Sequence, residues 1–272
     1  MPVAHLNGTE LFYVEVGEGL PCLVMHGGLG FDHTYMHPWL DPLGDVMHLV
    51  YYDHRGNGRS GRPPWETLTF QQLCADADVL REHLGFEKVA VMGHSVGGTI
   101  ALEYALRYPE RLERLILLDT LPSFDDWENE VEDNARCKGA TQEQLEALVT
   151  YEDDDEGFRR AWKLIEPLYF HTYDVALAGR VFAKTVFSVE ANKAQAAFLE
   201  GWDVTPRLGE IHAPTLVIVG HDDIVCPPSQ ARRLHEDILN SELVVFERSG
   251  HLAWFEEPEA FFGAVRRWLR CT

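Results

Sequence analysis

Apolar residues recur along the chain in short blocks, and between the blocks the spacing turns from alternating to helical. Leu11 to Val16 alternates loosely and predicts an entry strand before the Gly17-Glu18-Gly19 turn. Pro21 to Met25, Val46 to Tyr52, Val89 to Met92, Leu115 to Leu118, Pro214 to Val219 and Leu243 to Phe246 are short and mostly apolar. Strands covered on both faces have this composition. Helical periods lie between most of them. Phe70, Leu73, Ala77, Leu80 and Leu84 mark one helix, ended by Gly85; others are predicted over Thr99–Tyr108, Ser229–Leu239 and Pro258–Arg270. Crossovers this long predict an α/β fold with a mainly parallel sheet and helices on both faces.

The alternation breaks between about Leu121 and Pro206. That stretch has no good strand, five or so helical segments and many aromatics, among them Trp127, Trp162, Tyr169 and Trp202. It predicts a helical cap over residues 121–206, inserted into a core domain made of 1–120 and 207–272.

Composition narrows the partners. A chain of 272 residues suits one large domain or a domain with an insertion. Asp and Glu number 44 against 23 Lys and Arg, a net charge of −21 that repels phosphate backbones and anionic lipid. Nucleic acid and membranes are therefore not expected as partners, and a small-molecule substrate is. The five cysteines are scattered, odd in number and without a C-x-x-C, as in a reducing, cytoplasmic setting. Met1 to His5 has no basic region followed by an apolar core, and no apolar run reaches membrane-spanning length. Glu152 to Glu156 reads as a solvated loop or helix start.

The chemistry centres on Val89 to Thr99, VAVMGHSVGGT, where a strand turns sharply into a helix. Glycines 93 and 97 let strand and helix approach closely enough to force Ser95 into a strained conformation, with its hydroxyl pushed clear. The helix N-terminus beneath favours developing negative charge. This is the order of a nucleophile elbow. A serine hydroxyl needs a base, and the base needs an acid to fix its tautomer. His251 follows the last strand directly, on the sheet edge that also carries Ser95. Asp222 and Asp223 follow the strand before it. The spacing G-x-x-D-x-x-x-P favours Asp223 and leaves Asp222 a solvated neighbour; Asp119 is the other reachable acid. Oxyanion donors are expected at the N–H of Val96 and of Gly28 or Leu29, in His26-Gly27-Gly28-Leu29-Gly30. No Gly-Lys-Ser/Thr follows that loop, so nucleotide binding is not expected. Asp53 to Gly61 reads as scaffold. No metal or cofactor is expected, because neither H-E-x-x-H nor paired Cys/His spacing occurs. Phe31, Ile224 and Leu252 flank the site, with Trp202 from the cap as a further pocket residue. These suit a neutral acyl or lactone group.

In order, HGGLG, YYDHRGNGRS, GHSVGG, VGHDDIVCP and RSGHLAW resemble the α/β-hydrolase superfamily over essentially the whole chain. Within it the chain is most similar to the proline iminopeptidase branch; C–C bond hydrolases and ester- or lactone-cleaving enzymes share the C-terminal stretch. The resemblance implies catalytic roles for Ser95, Asp223 and His251, with Gly28 and Val96 at the oxyanion hole. Departures bear on substrate. Leu29 stands where the iminopeptidase loop has proline, and the elbow is GHSVG rather than GGSWG. Ile224 stands where some of those enzymes place an acid to grip the substrate amine. A buried ammonium without a charge partner is costly, so Glu200 or another cap acid would have to substitute. Three readings follow: a serine esterase or lactonase working through an acyl-enzyme, an aminopeptidase using the same route, and a ligand receptor on a hydrolase scaffold. The complete set of reactive groups argues against the last, since binding alone does not need it.

Overall fold

Strands buried on both faces can satisfy their backbones only against one another, and here they do so in one sheet. The computed structural model describes residues 2–271. Its strands are β1 (Val3–Leu6), β2 (Thr9–Val16), β3 (Leu20–Met25), β4 (Met47–Tyr52), β5 (Val89–His94), β6 (Leu112–Leu118), β7 (Thr215–Gly220) and β8 (Ser241–Phe246). Their order is β1-β2-β4-β3-β5-β6-β7-β8. β1–β2 and β2–β4 are antiparallel and every other pair is parallel. β1 is the one strand the hydrophobic pattern does not announce. It is four residues long and buries Ala4 alone, too little for a period of two to show.

The pleat sorts the central strands into two cores. Leu23, Met25, Val91, Leu117 and Val219 face one of them, covered by α1 (Phe70–His83), α2 (Val96–Arg107) and α8 (Pro228–Asp237). Cys22, Val24, Met92, Leu118 and Ile218 face the other, covered by α10 (Pro258–Cys271). Helices thus cover both faces, as a parallel sheet requires. The carboxyl ends of β3, β5, β7 and β8 are left open on one rim.

Between β6 and β7 the chain forms α3 (Trp127–Cys137), α4 (Gln142–Val149), α5 (Asp155–Ile165), α6 (Val175–Val181) and α7 (Val189–Leu199). Four of the five starts carry side-chain caps of the usual kinds: a Thr141/Gln144 capping box on α4, Asp154 on α5, Asp174 on α6 and Ser188 on α7. The acidic run at 152–156 is thus the start of α5. This helical insertion lies over the open rim. Trp127 Nε1–H donates to the Val225 carbonyl at 3.0 Å, and the Tyr169 carbonyl accepts from His251 N–H at 2.7 Å. A four-residue helix, α9 (Ala253–Glu256), follows the β8 loop. All five cysteines are free. Among the described residues no helix is long and apolar enough to cross a membrane.

Candidate active site

Ser95 sits between β5 and α2 at φ 54°, ψ −123°, a conformation that L-residues avoid. The neighbouring glycines explain how it is held there. A Cβ on Gly93 would stand 2.7 Å from Gly98 Cα, and one on Gly97 would run into the carbonyls of Met25 and His26. Strand and helix are therefore closer than any side chain permits, and the turn between them has no room to relax.

His251 lies on the loop after β8 and is buried with Asp223, which follows β7. Its Nδ1–H donates to Asp223 Oδ2 at 2.7 Å, which leaves Nε2 as the basic nitrogen. Asp223 Oδ1 accepts from the N–H groups of Val225 and Cys226 at 2.8 and 3.1 Å. That carboxylate is fully engaged. Asp119 behaves differently. Its Oδ1 accepts from Gly220 N–H at 2.9 Å, and Oδ2 has no partner among the described residues. Burial first, and the charge of Asp223 second, hold the Asp119 carboxyl well above the carboxylate range, so it keeps its proton. Asp222 is half-exposed and takes His221 Nδ1 at 2.8 Å and His171 on its other oxygen.

A polar relay that the sequence does not advertise ties this site together. Gly27 N–H donates to the Tyr35 oxygen at 2.6 Å, and the Tyr35 hydroxyl donates to His94 Nδ1 at 2.8 Å. His94 Nε2–H donates in turn to the His251 carbonyl at 3.0 Å. One neutral imidazole thus links the glycine loop, the elbow and the base. His26 does similar work: Nδ1–H donates to the Gly27 carbonyl at 2.9 Å while Nε2 accepts from His54 N–H at 3.2 Å. The Cys226 thiol lies near Ser95, and burial first and Asp223 second hold it well above the ordinary thiol range. A neutral thiol is no rival nucleophile. Asp223, Cys226 and His251 offer oxygen, sulfur and nitrogen atoms within 4.8 Å of one another, the one such cluster among the described residues. Both Asp223 oxygens already hold protein donors.

Ser95, His251 and Gly28 border one cavity of about 80 Å³. Phe31, Trp162, Tyr169, Phe182, Val225 and Leu252 make up most of the remaining wall, and no carboxylate lines it.

A family model described as the alpha/beta hydrolase fold matches residues 21–136. The chain is 30% identical to proline iminopeptidase PfmaB of Pestalotiopsis fici over 97% of this chain and 98% of that one. The chain belongs to the alpha/beta hydrolase family. Solved structures agree on the architecture. An enol-lactonase from Burkholderia xenovorans LB400 is 25% identical with a TM-score of 0.80, covering 99% of this chain and all of that one. A thermophilic esterase from Thermogutta terrifontis is 29% identical with a TM-score of 0.74, over 98% and 96% of the two chains.

Not every residue expected at the site of this hydrolase reaches it. Phe31 and Leu252 border the cavity; Ile224 and Trp202 do not. The turn that wraps Asp223 presents Val225 instead, while Ile224 is buried with its carbonyl accepting from Asn134. Trp202 stacks on Phe70 at 5.1 Å and donates Nε1–H to Glu103 at 2.9 Å, in the core between α1 and α2. Leu29 N–H is taken by Gln195 Oε1 at 2.9 Å, while Gly28 borders the cavity beside Ser95. Trp162, Tyr169 and Phe182 had no signal beyond aromatic content, because helical spacing does not tell a cavity wall from a core.

Three buried histidines make the hydrolase acid-sensitive. Burial is the largest cause holding His26, His54 and His94 below the ordinary value of 6.5. The folded state keeps them neutral while the unfolded chain protonates, so stability is lost as pH falls below about 6.5. Each contributes a slope of up to about 1.4 kcal/mol per pH unit. Asp119, raised instead, contributes stability that is lost as pH rises above the ordinary carboxylate range. His221, raised by Asp222, shares that sign, but below pH 6.5 the three buried histidines outweigh both. Thermal melts at pH 6.5 and 5.5 are expected to fall in that order, and a flat or rising pair contradicts the assignment.

Proposed function

We propose that this hydrolase cleaves small carboxylic esters or lactones through a serine acyl-enzyme. One observation carries the reading: Ser95 and His251 border a small cavity whose wall is mostly aromatic and aliphatic and free of carboxylates, with Asp223 hydrogen-bonded to His251 behind it. Ser95 is the nucleophile, His251 the general base, and Asp223 the acid that orients the imidazole and stabilises its cation. The hydroxyl gives up its proton to His251 Nε2 and attacks the acyl carbon. The N–H groups of Val96 and Gly28 receive the oxyanion. As the C–O bond breaks, His251 returns the proton to the leaving alkoxide; with a lactone that alcohol stays on the acyl chain. Water, deprotonated by His251, then attacks the ester, and Ser95 leaves reprotonated.

The cavity limits the substrate. A cavity of about 80 Å³ beside Ser95 suits a short acyl group, and for a larger one residues 121–206 would move as a cap. The free thiols support a reducing, cytoplasmic setting.

The likeness to an iminopeptidase favours a second reading, in which the same groups release an N-terminal residue. That substrate brings an ammonium, and burying it unpaired costs several kcal/mol or so. Glu200 is exposed at the end of α7 and does not border the cavity. Rates on a butyrate ester, an acyl-homoserine lactone and a proline arylamide, taken side by side, separate the two. The ester or lactone is expected to turn over fastest; a faster arylamide reverses the ranking. A fluorophosphonate is expected to label Ser95, and a chain that resists it is a receptor rather than an enzyme.

A further inference from the structure

The loop from Gly27 to Gly30 has little of its own to keep its shape, since Gly28 and Gly30 lie at φ 23° and 102°, where no Cβ restrains them. Hydrogen bonds hold it instead, peptide by peptide. The Gly27–Gly28 peptide, which carries the Gly28 N–H, is fixed at its carbonyl by His26. In the next peptide the Gly28 carbonyl accepts from Phe31 N–H at 3.0 Å, and Leu29 N–H donates to Gln195 Oε1 at 2.9 Å. In the one after, the Leu29 carbonyl accepts from Asn192 Nδ2 at 3.3 Å, and Gly30 N–H donates to Asn57 Oδ1 at 2.6 Å. The Gly30 carbonyl accepts from Ser188 N–H at 2.9 Å. Three of these partners, Ser188, Asn192 and Gln195, belong to α7 or its cap. Asn192 and Gln195, three residues apart, lie on one helix face. The insertion therefore grips the backbone of the loop, not merely its surface.

Gln195 holds the most sensitive point. Leu29 is fully buried, so its N–H has no water to fall back on and must find an acceptor. If that acceptor is removed, the peptide on the carboxyl side of Gly28 keeps only the hold of Phe31 N–H on its carbonyl, and a rotation of that peptide shifts the Gly28 N–H next to it. We propose that Gln195 is a positioning residue for the oxyanion donor. By fixing the Leu29 N–H it aims Gly28 N–H at the charge that develops during acyl transfer, so that the insertion sets the reactive geometry as well as covering it. This inference rests on the acyl-transfer reading of the site.

Gln195→Met tests it, because methionine keeps the length of the side chain and loses the acceptor; Gln195→Asn, which withdraws the acceptor by one methylene, serves if the first variant does not fold. On p-nitrophenyl butyrate, kcat is expected to drop by about tenfold or more, with KM within about threefold. A boronic acid, whose tetrahedral adduct fills the oxyanion site, should lose affinity by a similar factor, while butyramide, a ground-state analogue, changes far less. A variant with unchanged kcat overturns the proposal, and so does one in which KM rises alone or both inhibitors weaken equally, the mark of a loosened insertion. Fluorophosphonate labelling of the wild type separates this from the parent reading. Without labelling at Ser95 both fall; with labelling and an indifferent Gln195→Met, only the role of Gln195 does.

Discussion

Ser95→Ala is expected to lose about 10³- to 10⁶-fold in kcat on a short-chain ester, with its fold intact. The loss is large because no acyl bond can form, and what survives is the help that two N–H donors give to attack by water. The fold survives because the hydroxyl contributes little to it. The Ser95 N–H bond to the Leu118 carbonyl, at 2.9 Å, is untouched by the substitution. Ester turnover and circular-dichroism melts on the same preparation check both halves. Activity above a hundredth of wild type moves the nucleophile elsewhere. Ser60 is a poor place to move it, because its hydroxyl donates to the Asp53 carbonyl at 2.6 Å and accepts from Phe12 N–H at 3.0 Å.

The same position stores strain. A non-glycine residue at φ 54°, ψ −123° costs on the order of 1–3 kcal/mol. Alanine keeps the Cβ and the strain with it; glycine removes both, at roughly 0.5–1 kcal/mol of added chain entropy. Ser95→Gly is accordingly expected to melt above Ser95→Ala, by a few degrees or so in a domain of this size. The reverse order means that residue 95 stores no appreciable strain.

What could be read in advance divides along a physical line. The elbow was legible because steric exclusion acts between neighbours: Gly93, Ser95 and Gly97 lie within five residues, and their geometry follows from the missing Cβ atoms. Asp223 and His251 were legible because a parallel sheet sends every strand end to the same rim, so position after β7 and β8 is a coordinate in space. Trp202 misled for the opposite reason. Its place is fixed by Glu103, a buried acid 99 positions away on α2, and nothing local says that the indole will turn to it. Gln195 and Asn192 look like ordinary polar positions of a surface helix until α7 is laid on the glycine loop. Tyr35 and His94 were invisible as a relay, since the link between them exists only once β5 and the segment after β3 are side by side. Local sterics and sheet topology are written in the order of residues; side-chain pairings across the fold are not.

The acid is where topology leaves a choice, and the expected result is a wide separation between neighbours. Asp223→Asn should cost on the order of 10⁴ in kcat. The reason lies in the other oxygen. Oδ1 accepts from two backbone N–H groups, Val225 and Cys226, so an asparagine must keep its carbonyl there. Its amide nitrogen is then forced toward His251 Nδ1, which must become the acceptor. The ring proton moves to Nε2, and the imidazole can no longer take a proton from Ser95. Asp222→Asn removes only charge pairing with His171 and His221 at the surface, worth about 1 kcal/mol or less. Its effect on kcat should stay within about threefold. Asp119→Asn should also be tolerated, since burial already disfavours the charged form of the carboxyl it replaces and its Gly220 contact needs only a carbonyl. Steady-state rates for the three variants on one ester decide the matter. Equal losses at 222 and 223 contradict the hydrogen bond at 2.7 Å as the functional one, and a collapse at 119 with activity retained at 223 transfers the role to the strand before the insertion.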